Sequence, residues 1–525
     1  MNRVKECDIL VIGTGVAGAA AAYKAACEGK SVIVISKEQD FEESATKYAQ
    51  GGIVGVGQDD SAELLSKDIH HAGAGASFNE AVNIVAQEGP QLVEDILVKA
   101  MEVDFDRNED GQLRRTAEAA HSRRRIYHYK DATGLAIAAA TVKTLKECKE
   151  VELINGAVAV DLITSAHNWT DRASQHRPNR CLGAYVFLED EDAVFSILAK
   201  QTILATGGLG QVYLHTTNPA CATGDGIAMA YRTGARIINS EFVQFHPTSF
   251  FHRDCERFLI TEAVRGEGGR LFNYAGERFM ENYSPDELEL APRDVVARSI
   301  YQEMARTGKS CVFLNIADFA PKEMDVRERF PTIYEKLLKF DIDITKKPIP
   351  VVPAAHYSCG GVMVDLEGKT ELPGLLAAGE VSCTGIHGAN RLASTSLLEG
   401  LLWGYKAGQS AINECNEVKA PIASSVPLWD DEGLDEISDP LLISQDILTI
   451  KTTMWNYAGI ARTQKRLERA AADMDYLTRR TEQFYREAKL NKSLIELRNL
   501  VTVARIIIRA ALRNKQSQGC HYRLD

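Results

Sequence analysis

A glycine-rich run near the start of the chain has the residue types and spacing of a site for a phosphate-bearing ligand. Gly13, Gly15 and Gly18 form the pattern GxGxxG between the largely apolar residues 8–12 and the alanine-rich residues 17–27. The apolar run predicts a buried parallel strand, and the alanine-rich run predicts the helix that follows. Glycine at these positions permits a tight turn, close approach of a pyrophosphate to the helix N–H groups, and close helix packing. We therefore predict a dinucleotide site.

The surrounding sequence favours this prediction over a turn in which small residues serve packing alone. A second apolar run, residues 31–35, follows the helix and predicts the next strand. The acidic residue that binds a ribose hydroxyl in NAD sites is missing, and Ser36 and Lys37 stand at the end of this strand instead. This departure argues against a plain NAD site and for a nucleotide whose ribose is held differently.

Other elements that could complete the nucleotide fold lie far along the chain. Residues 201–208 and 374–380 are apolar runs that end in glycine, which predicts two more strands of the same sheet. The alternation of residues 151–162 and 183–198 predicts antiparallel strands, and the polar residues 165–180 between them predict a hairpin loop. The chain therefore leaves the nucleotide sheet and returns to it more than once.

Helical periodicity dominates two regions outside these strands. One is residues 62–103, and the other is the C-terminal part, where residues 443–471 and 494–512 predict a helical bundle behind the polar linker 414–440. On the last helix one face carries Leu494, Leu497, Val501, Ala504, Ile508 and Ala511. Arg498, Arg505 and Arg509 occupy the other faces, and a basic partner-binding surface is the less favoured interpretation.

Composition limits the class of protein. A chain of 525 residues with 45% hydrophobic and 25% charged residues predicts two or three globular domains, and a formal charge of −12 argues against nucleic acid as partner. Eleven cysteines lack CxxC or Cys/His metal spacing, so we expect reduced thiols in a cytoplasmic protein, with neither disulfides nor a metal. The first strand begins too near Met1 for a signal peptide, and no apolar run predicts a membrane span.

Motifs along almost the whole chain resemble the flavoprotein family of succinate dehydrogenase and fumarate reductase. These are Ser36-Lys37 and residues 49–52, 245–248, 261–269 and 291–294. Two pairs of stretches are similar to the members of this family that oxidise L-aspartate, namely residues 121–125 with 131–134, and residues 353–361 with 387–391. The motifs occur in the family's order, which makes the resemblance far more specific than the glycine pattern alone.

The resemblance implies an α/β fold in several parts. A Rossmann-like FAD-binding domain would comprise residues 1–240 and 357–420, with an inserted α+β capping domain at residues 241–356 and a linker and C-terminal helical domain at residues 421–525. It also implies FAD contacts at Thr14, Gly15, Val16, Ala17, Lys37, Thr46, Lys47, Tyr48, Ala49, Gln50, Gly51, Gly52, Asp225, Glu380, Ser396 and Leu397. The succinate enzymes attach their flavin covalently to a histidine where this chain has Ala45, so noncovalent FAD is expected.

A four-carbon dicarboxylate needs fixed cations, and arginine offers a planar pair of charged donors. Arg391 fits this role, and the resemblance adds His246, Thr261 and His356 to the substrate site. It assigns proton transfer to Arg293, for which a structural salt bridge is the alternative. Further candidates are Glu262 and Arg265, as the family's proton relay.

Glu118 could separate an amino acid from succinate, because its carboxylate would pair with the ammonium group of aspartate. The family has Gly-Gly-His-Ser after this glutamate, whereas this chain has Ala119 and Ala120 before His121 and Ser122. The alternative is a solvated acid that balances residues 123–125.

The resemblance thus implies FAD-dependent oxidation of L-aspartate to iminoaspartate, the first step toward quinolinate and NAD. Oxygen or fumarate would accept the electrons, and quinolinate synthase is a candidate partner. Two other functions stay open: a soluble fumarate reductase or succinate dehydrogenase flavoprotein subunit, and a flavin-binding protein that serves assembly without turnover. Ala45 and Glu118 argue against the first, and the arginines and histidines at motif positions argue against the second.

Overall fold

The computed structural model describes residues 3–118, 120–170, 176, 178–252, 258–436 and 439–525; Ala119 and parts of the expected loop 165–180 and the expected cap 241–356 lie outside them. The strands are β1 (Val4–Ile12), β2 (Val32–Ile35), β3 (Ile53–Val54), β4 (Arg115–Thr116), β5 (Ile126–Tyr127), β6 (Val151–Ile154), β7 (Ala157–Thr164), β8 (Cys181–Leu188), β9 (Ala193–Leu204), β10 (Ile237–Ile238), β11 (Val243–Phe250), β12 (Arg270–Phe272), β13 (Val312–Asn315), β14 (Ile349–Ser358), β15 (Gly361–Met363), β16 (Leu375–Ala377), β17 (Ser382–Cys383), β18 (Ala461–Arg462) and β19 (Tyr522–Arg523). The helices are α1 (Val16–Cys27), α2 (Ala62–Ala72), α3 (Asn79–Leu92), α4 (Thr133–Glu147), α5 (Asp225–Arg232), α6 (Ala263–Gly266), α7 (Arg293–Thr307), α8 (Val326–Arg329), α9 (Pro331–Leu338), α10 (Thr395–Cys415), α11 (Pro440–Ala458), α12 (Gln464–Glu487) and α13 (Lys492–Arg513).

The largest sheet contains the apolar runs that the sequence assigns to the nucleotide site. Its strands lie in the order β6-β2-β1-β9-β8-β7, and β16 also pairs with β9. The pairs among β6, β2, β1, β9 and β16 are parallel, whereas β8 is antiparallel to both of its neighbours. Helix α1 packs against α4 and α10. This arrangement is the doubly wound fold expected of a dinucleotide-binding domain.

Strand partners differ from those that the alternating pattern predicts. The run 151–162 is divided at Gly156, whose φ is +56°, into β6, parallel to β2, and β7, antiparallel to β8. The predicted runs 183–198 and 201–208 share one continuous strand, β9, because no turn separates them. β9 pairs with β8 on one edge and with β1 on the other. Side-chain alternation is the same in both kinds of pair, so it could not distinguish them.

The glycine turn after β1 has the shape that the sequence predicts. Gly13 has a φ of +117°, and a Cβ atom there would lie 2.2 Å from the carbonyl oxygen of Ala205. A Cβ atom on Gly18 would lie 2.0 Å from the Gly13 carbonyl oxygen. Because only glycine fits both positions, α1 begins directly above the strand ends.

A second apolar core lies in the region expected to form the cap. A four-stranded antiparallel sheet has the order β11-β14-β13-β12. The apolar side chains form their own cluster, which extends from Phe250 to Val351 and is separate from the core of the nucleotide sheet. This region is therefore α+β, as predicted, while the limits 241–356 stay a prediction.

The C-terminal helices α11, α12 and α13 pack on one another, and the apolar positions predicted to share one face of α13 are all buried. The predicted helical run 443–471 is interrupted by β18, which lies between α11 and α12 and pairs with the C-terminal strand β19. Arg498 pairs with Asp161 (2.7 Å) and Arg505 with Asp475 (3.0 Å), which argues against a free basic surface. The predicted fold class is thus confirmed. No helix in the described ranges combines the length and apolar composition needed to cross a bilayer.

A side chain of the nucleotide domain caps the N-terminus of a helix in the cap region and so links the two parts. Helix α9 begins after Phe330, which cannot cap it. The buried carboxylate of Asp131 accepts hydrogen bonds from the Thr332 hydroxyl (2.8 Å) and the Ile333 N–H (3.1 Å). Asp131 precedes α4, so its negative charge stabilises the N-terminus of a helix that belongs to the other region. The motif that contains Asp131 therefore joins the two parts.

We expect Asp131→Ala to lower the free energy of local unfolding of α9 by about 1 kcal/mol, which corresponds to roughly fivefold faster amide exchange. Hydrogen exchange of residues 332–338, followed by mass spectrometry, measures the effect. Asp439 directly precedes α11 and caps it by accepting from the Leu441 N–H (2.9 Å). Asp439→Ala is therefore the matched control and should leave amide exchange in α9 unchanged. Unchanged exchange in α9 of the Asp131 variant would contradict the assignment.

Candidate active site

A cleft of about 1650 Å³, measured with its open mouth, lies where the parallel strands end. Ile12, Ile35 and Ala205, which end or directly follow β1, β2 and β9, line it. Side chains of the cap region, among them His246 and Arg293, line the same cleft. Open α/β sheets bind their ligands at this edge. The cleft therefore joins the nucleotide fold to the cap.

All but one of the residues predicted to bind the cofactor line this cleft. They are Thr14, Gly15, Val16, Ala17, Lys37, Thr46, Tyr48, Ala49, Gln50, Gly51, Gly52, Asp225, Glu380, Ser396 and Leu397. Lys47 is the exception, because its ammonium group pairs with Asp40 (2.9 Å) and Glu43 (3.2 Å). A cofactor contact of Lys47 stays a prediction.

Lys37 lies in a buried ionic cluster at one end of the cleft. Its Nζ atom is 2.8 Å from Asp225 Oδ2, 2.9 Å from Glu496 Oε1 and 2.7 Å from Thr223 Oγ1. Burial alone would lower the pKa of Lys37, but the two carboxylates outweigh it and raise the pKa. Asn499 also donates to Asp225 (2.9 Å), so α13 contacts this cluster.

Two helices begin at the cleft with open first turns. One N–H group in the first turn of α1 has a side-chain partner from another loop: the Val16 N–H donates to the Thr46 hydroxyl (3.1 Å). Helix α10 has no side-chain N-cap among the described residues, and Ser396 and Leu397 of its first turn line the cleft. Free N–H groups and the helix dipole make both ends favourable places for negative charge.

Arg293, Glu262 and Arg265 form a buried chain of charges in the cap. The Arg293 Nε donates to Glu262 Oε2 (2.5 Å), and Arg265 Nη2 lies 3.7 Å from the same oxygen. Burial alone would raise the pKa of Glu262, but the positive charges of Arg293 and Arg265 hold it below the usual value. Arg293 and Glu262 line the cleft, whereas Arg265 lies behind them. The salt bridge that is the alternative role for Arg293 is present, but its partner is Glu262, while Asp294 pairs with Arg298 (2.8 Å).

Arg391 reaches the cleft from the loop before α10. It donates to Ser396 Oγ and, over 3.0 Å, to His356 Nε2, and its guanidinium lies 4.7 Å from the centre of the Tyr357 ring. Burial, and then the positive charge of Arg293, lower the pKa of Arg391 to about 10. Among the described residues no carboxylate forms an ion pair with Arg391, which leaves its guanidinium group suited to an anion.

The two histidines of the cleft are neutral donors. Arginine can only donate, so His356 Nε2 must accept from Arg391, and its Nδ1–H donates to the Thr217 hydroxyl (2.8 Å). His246 accepts from the Thr248 N–H through Nδ1 (3.2 Å), which leaves its proton on Nε2. Burial, followed by the nearest arginines, lowers the pKa of both rings well below the usual value.

Glu118 is buried at the same cleft, which contradicts the alternative of a solvated acid. Its Oε2 accepts from the Ser394 hydroxyl (2.5 Å). A Cβ atom on Gly51 would lie 2.0 Å from Glu118 Oε1, so the Gln-Gly-Gly loop leaves room for this side chain. Burial, and then the negative charge of Glu262, raise the pKa of Glu118. Thr261 lines the cleft beside Glu262.

Sequence reasoning missed three polar residues that hold these groups in place. Thr217 fixes the proton of His356, Ser394 donates to Glu118, and Gln244 touches both Arg293 and Arg391. Gln244 stands two positions before His246 on β11, and this period-two spacing could have revealed it. Ser394 and Thr217 give no comparable signal, because the loops that hold them acquire their positions only in the fold.

Comparisons with known proteins define the class. Residues 8–397 match the family model described as FAD binding domain, and residues 448–525 match the one described as fumarate reductase flavoprotein C-term. The fold is similar to that of E. coli quinol fumarate reductase FrdA, with a TM-score of 0.88 and 26% identity over 100% of this chain and 92% of that chain. The fold and cleft are thus those of an FAD-binding flavoprotein of the fumarate reductase type.

Relatives at higher identity narrow the class further. An L-aspartate oxidase of Yersinia pestis is 43% identical over 99% of this chain and 96% of its own length. One of Vibrio cholerae is 42% identical over 100% of this chain and 96% of its own length. The chain belongs to the L-aspartate oxidase family. The resemblance predicted from the motifs is confirmed, and FAD is the cofactor.

Gly13→Ala should abolish FAD retention, because the added methyl group meets the Ala205 carbonyl and displaces the turn. Gly29→Ala is the matched control, since Gly29 also has a positive φ (+70°) and no described atom within 4 Å of an added Cβ. Both variants carry backbone strain of about 1–2 kcal/mol, but only one carries the clash. FAD released by acid from each purified protein gives the content. Wild-type content in Gly13→Ala would refute the prediction.

Proposed function

We propose that this protein uses FAD to oxidise L-aspartate to iminoaspartate, the first step toward quinolinate and NAD, and that oxygen or fumarate accepts the electrons. The observation that carries the proposal is a single cleft whose lining includes the guanidinium groups of Arg293 and Arg391 and the buried carboxyl group of Glu118. Two fixed cations suit a dicarboxylate, and a carboxylate suits an ammonium group. The name of the relatives describes the same substrate.

FAD fits the residues of the cleft. Gln50 Oε1, Thr206 Oγ1 and Asn218 Oδ1 belong to lining residues and have no hydrogen-bond partner in the described part of the chain. Buried polar atoms almost always have a partner, so these three are suited to a polar ligand. The open turns of α1 and α10 are suited to a pyrophosphate and to an electron-rich ring. When bound, FAD supplies the hydride acceptor.

Each group of lining residues has a proposed part in holding FAD. Residues 14–17 would bind the pyrophosphate, Lys37 the adenosine end, and residues 46–52 with Ser396 and Leu397 the remainder. Ala45 has no nucleophilic atom at the place where the succinate enzymes carry histidine. We therefore propose noncovalent attachment.

The substrate's carboxylates would be held by fixed donors from both regions. Arg391 would act as the clamp, and its short contacts with Ser396 and His356 keep the guanidinium in one orientation. His246 would add an Nε2–H donor, and Thr261 a hydroxyl. Such fixed donors hold the C2 hydrogen in one geometry for transfer.

Proton removal would fall to Arg293, which begins α7. An arginine base is unusual, since a guanidinium group ordinarily stays protonated in proteins. Its short bond to Glu262, and the nearby Arg265, form a path along which the proton could leave. Burial of all three groups excludes water from this path.

Glu118 would select an amino acid over plain succinate. Burial raises the pKa of Glu118, and an ammonium group beside it would lower that pKa and stabilise the carboxylate. A ligand without that positive charge gains nothing from Glu118. This argues against the alternative of a fumarate reductase or succinate dehydrogenase flavoprotein subunit, as does Ala45.

Three narrower predictions belong to the same proposal. The domain limits are 1–240 with 357–420, 241–356 and 421–525. The cytoplasm is the proposed compartment, and the cysteine thiols of the described residues suit its reducing conditions. Quinolinate synthase, which would consume the product, is the proposed partner.

Arg293→Leu should leave FAD bound but slow flavin reduction by L-aspartate about 10²- to 10⁴-fold, because the group that receives the proton is lost. Anaerobic stopped-flow absorption measures the rate. Arg306→Leu places the same substitution at the exposed end of the same helix and should keep the wild-type rate. Reduction of the Arg293 variant at the wild-type rate would exclude the proposed role.

Glu118→Gln should lower kcat/KM for L-aspartate about 10- to 100-fold, because a charged hydrogen bond to the ammonium group is lost. Fumarate reduction has no ammonium group to bind and should fall much less. Steady-state rates of L-aspartate oxidation by oxygen and of fumarate reduction by a chemical electron donor are measured on the same preparation. Equal losses in the two reactions would show that Glu118 does not select the amino acid.

A further inference from the structure

Gln244 makes four hydrogen bonds at the junction of the cap and the nucleotide domain. Its side-chain oxygen accepts from Arg293 Nη1 (3.3 Å) and from Arg391 Nε (3.4 Å). Its side-chain nitrogen donates to Asn390 Oδ1 (2.7 Å) and to the Arg391 carbonyl oxygen (2.9 Å). The residue is fully buried, with 0% exposure, and does not line the cleft. It therefore touches both arginines without reaching the ligand space.

These contacts use the whole capacity of the side chain. A primary amide has two acceptor positions and two N–H donors, and all four are occupied. Guanidinium groups can only donate, so a flipped amide would direct N–H groups at two donors. The orientation of Gln244 is fixed by this asymmetry, and the positions of the two arginines relative to it are fixed as well.

The two arginines come from different parts of the chain and carry the same charge. Arg293 begins α7 of the cap, whereas Arg391 lies in the loop before α10. Like charges repel, and the pKa of Arg391 is lowered in part by Arg293. A neutral oxygen that accepts from both groups holds them at one separation without neutralising either of them.

We infer that Gln244 is a positioning residue that fixes the separation of Arg293 and Arg391, and thereby sets the length of dicarboxylate that the cleft accepts. The inference rests on the proposed function, in which Arg391 and Arg293 are the two fixed cations that meet the dicarboxylate. Asn390 extends this hydrogen-bond network, because it donates to Asp294 (3.1 Å), the neighbour of Arg293. A ligand one methylene longer then fails to match the fixed separation.

Gln244→Met tests the inference, because methionine has nearly the same length and makes none of the four bonds. The FAD-loaded variant is titrated with succinate and with glutarate, and the change in flavin absorption gives each dissociation constant. Succinate binding should weaken about 10- to 100-fold, and the preference for succinate over glutarate should shrink. Gln201→Met is the matched control: Gln201 is equally buried and lacks a partner among the described residues, so wild-type values are expected.

Gln244→Glu provides the second variant, needed if the methionine protein does not fold. A carboxylate still accepts from both arginines, although it loses the two N–H donations to Asn390 and to the Arg391 carbonyl oxygen. The preference for succinate over glutarate should therefore return toward the wild-type ratio, even though the added charge weakens the binding of both ligands. Wild-type affinity and preference in Gln244→Met, or a lost preference in Gln244→Glu, would overturn the inference. Flavin reduction of the wild type by L-aspartate tests the proposed function separately, since dicarboxylate binding needs no turnover.

Discussion

Burying several guanidinium groups around one cleft is the constraint on which this structure depends. Arg265, Arg293 and Arg391 are all buried, and removing a cation from water is costly unless opposite charges or hydrogen bonds compensate. Glu262 compensates two of them, and Gln244 provides a neutral acceptor for Arg293 and Arg391. Arg391 has no carboxylate partner among the described residues, so an anionic ligand would complete its compensation.

The site exists only where two parts of the chain meet. Arg293 and Glu262 belong to the cap region, whereas Arg391 and Glu118 belong to the nucleotide region. Their separation depends on contacts that cross the junction, including the Asp131 cap on α9. Loops and helix ends far from the ligand thus determine whether the charged groups face one another. This gives a physical reason for the two extra motifs that the family resemblance singles out.

The sequence was informative where local geometry decides the structure. The turn at Gly13 and the buried face of α13 follow from spacing alone, because each depends on neighbours within a few residues. The strand partners of β9 could not be predicted from the sequence, since side-chain alternation is the same in parallel and antiparallel pairs. Spacing relates Gln244 to His246 on β11, but it cannot show that the fold brings two arginines to the Gln244 side chain. Long-range placement, and not residue type, was the missing information.

The affinity of the FAD-loaded protein for succinate, compared with that for butyrate, tests the central claim most directly. Both ligands have a four-carbon chain, but only succinate can satisfy two separated guanidinium groups. Titrations followed by flavin absorption should show succinate binding about 100-fold or more tightly than butyrate, as expected for a second charge-assisted contact. Similar dissociation constants for the two would contradict the account, because they would mean that only one of the two arginines meets the ligand.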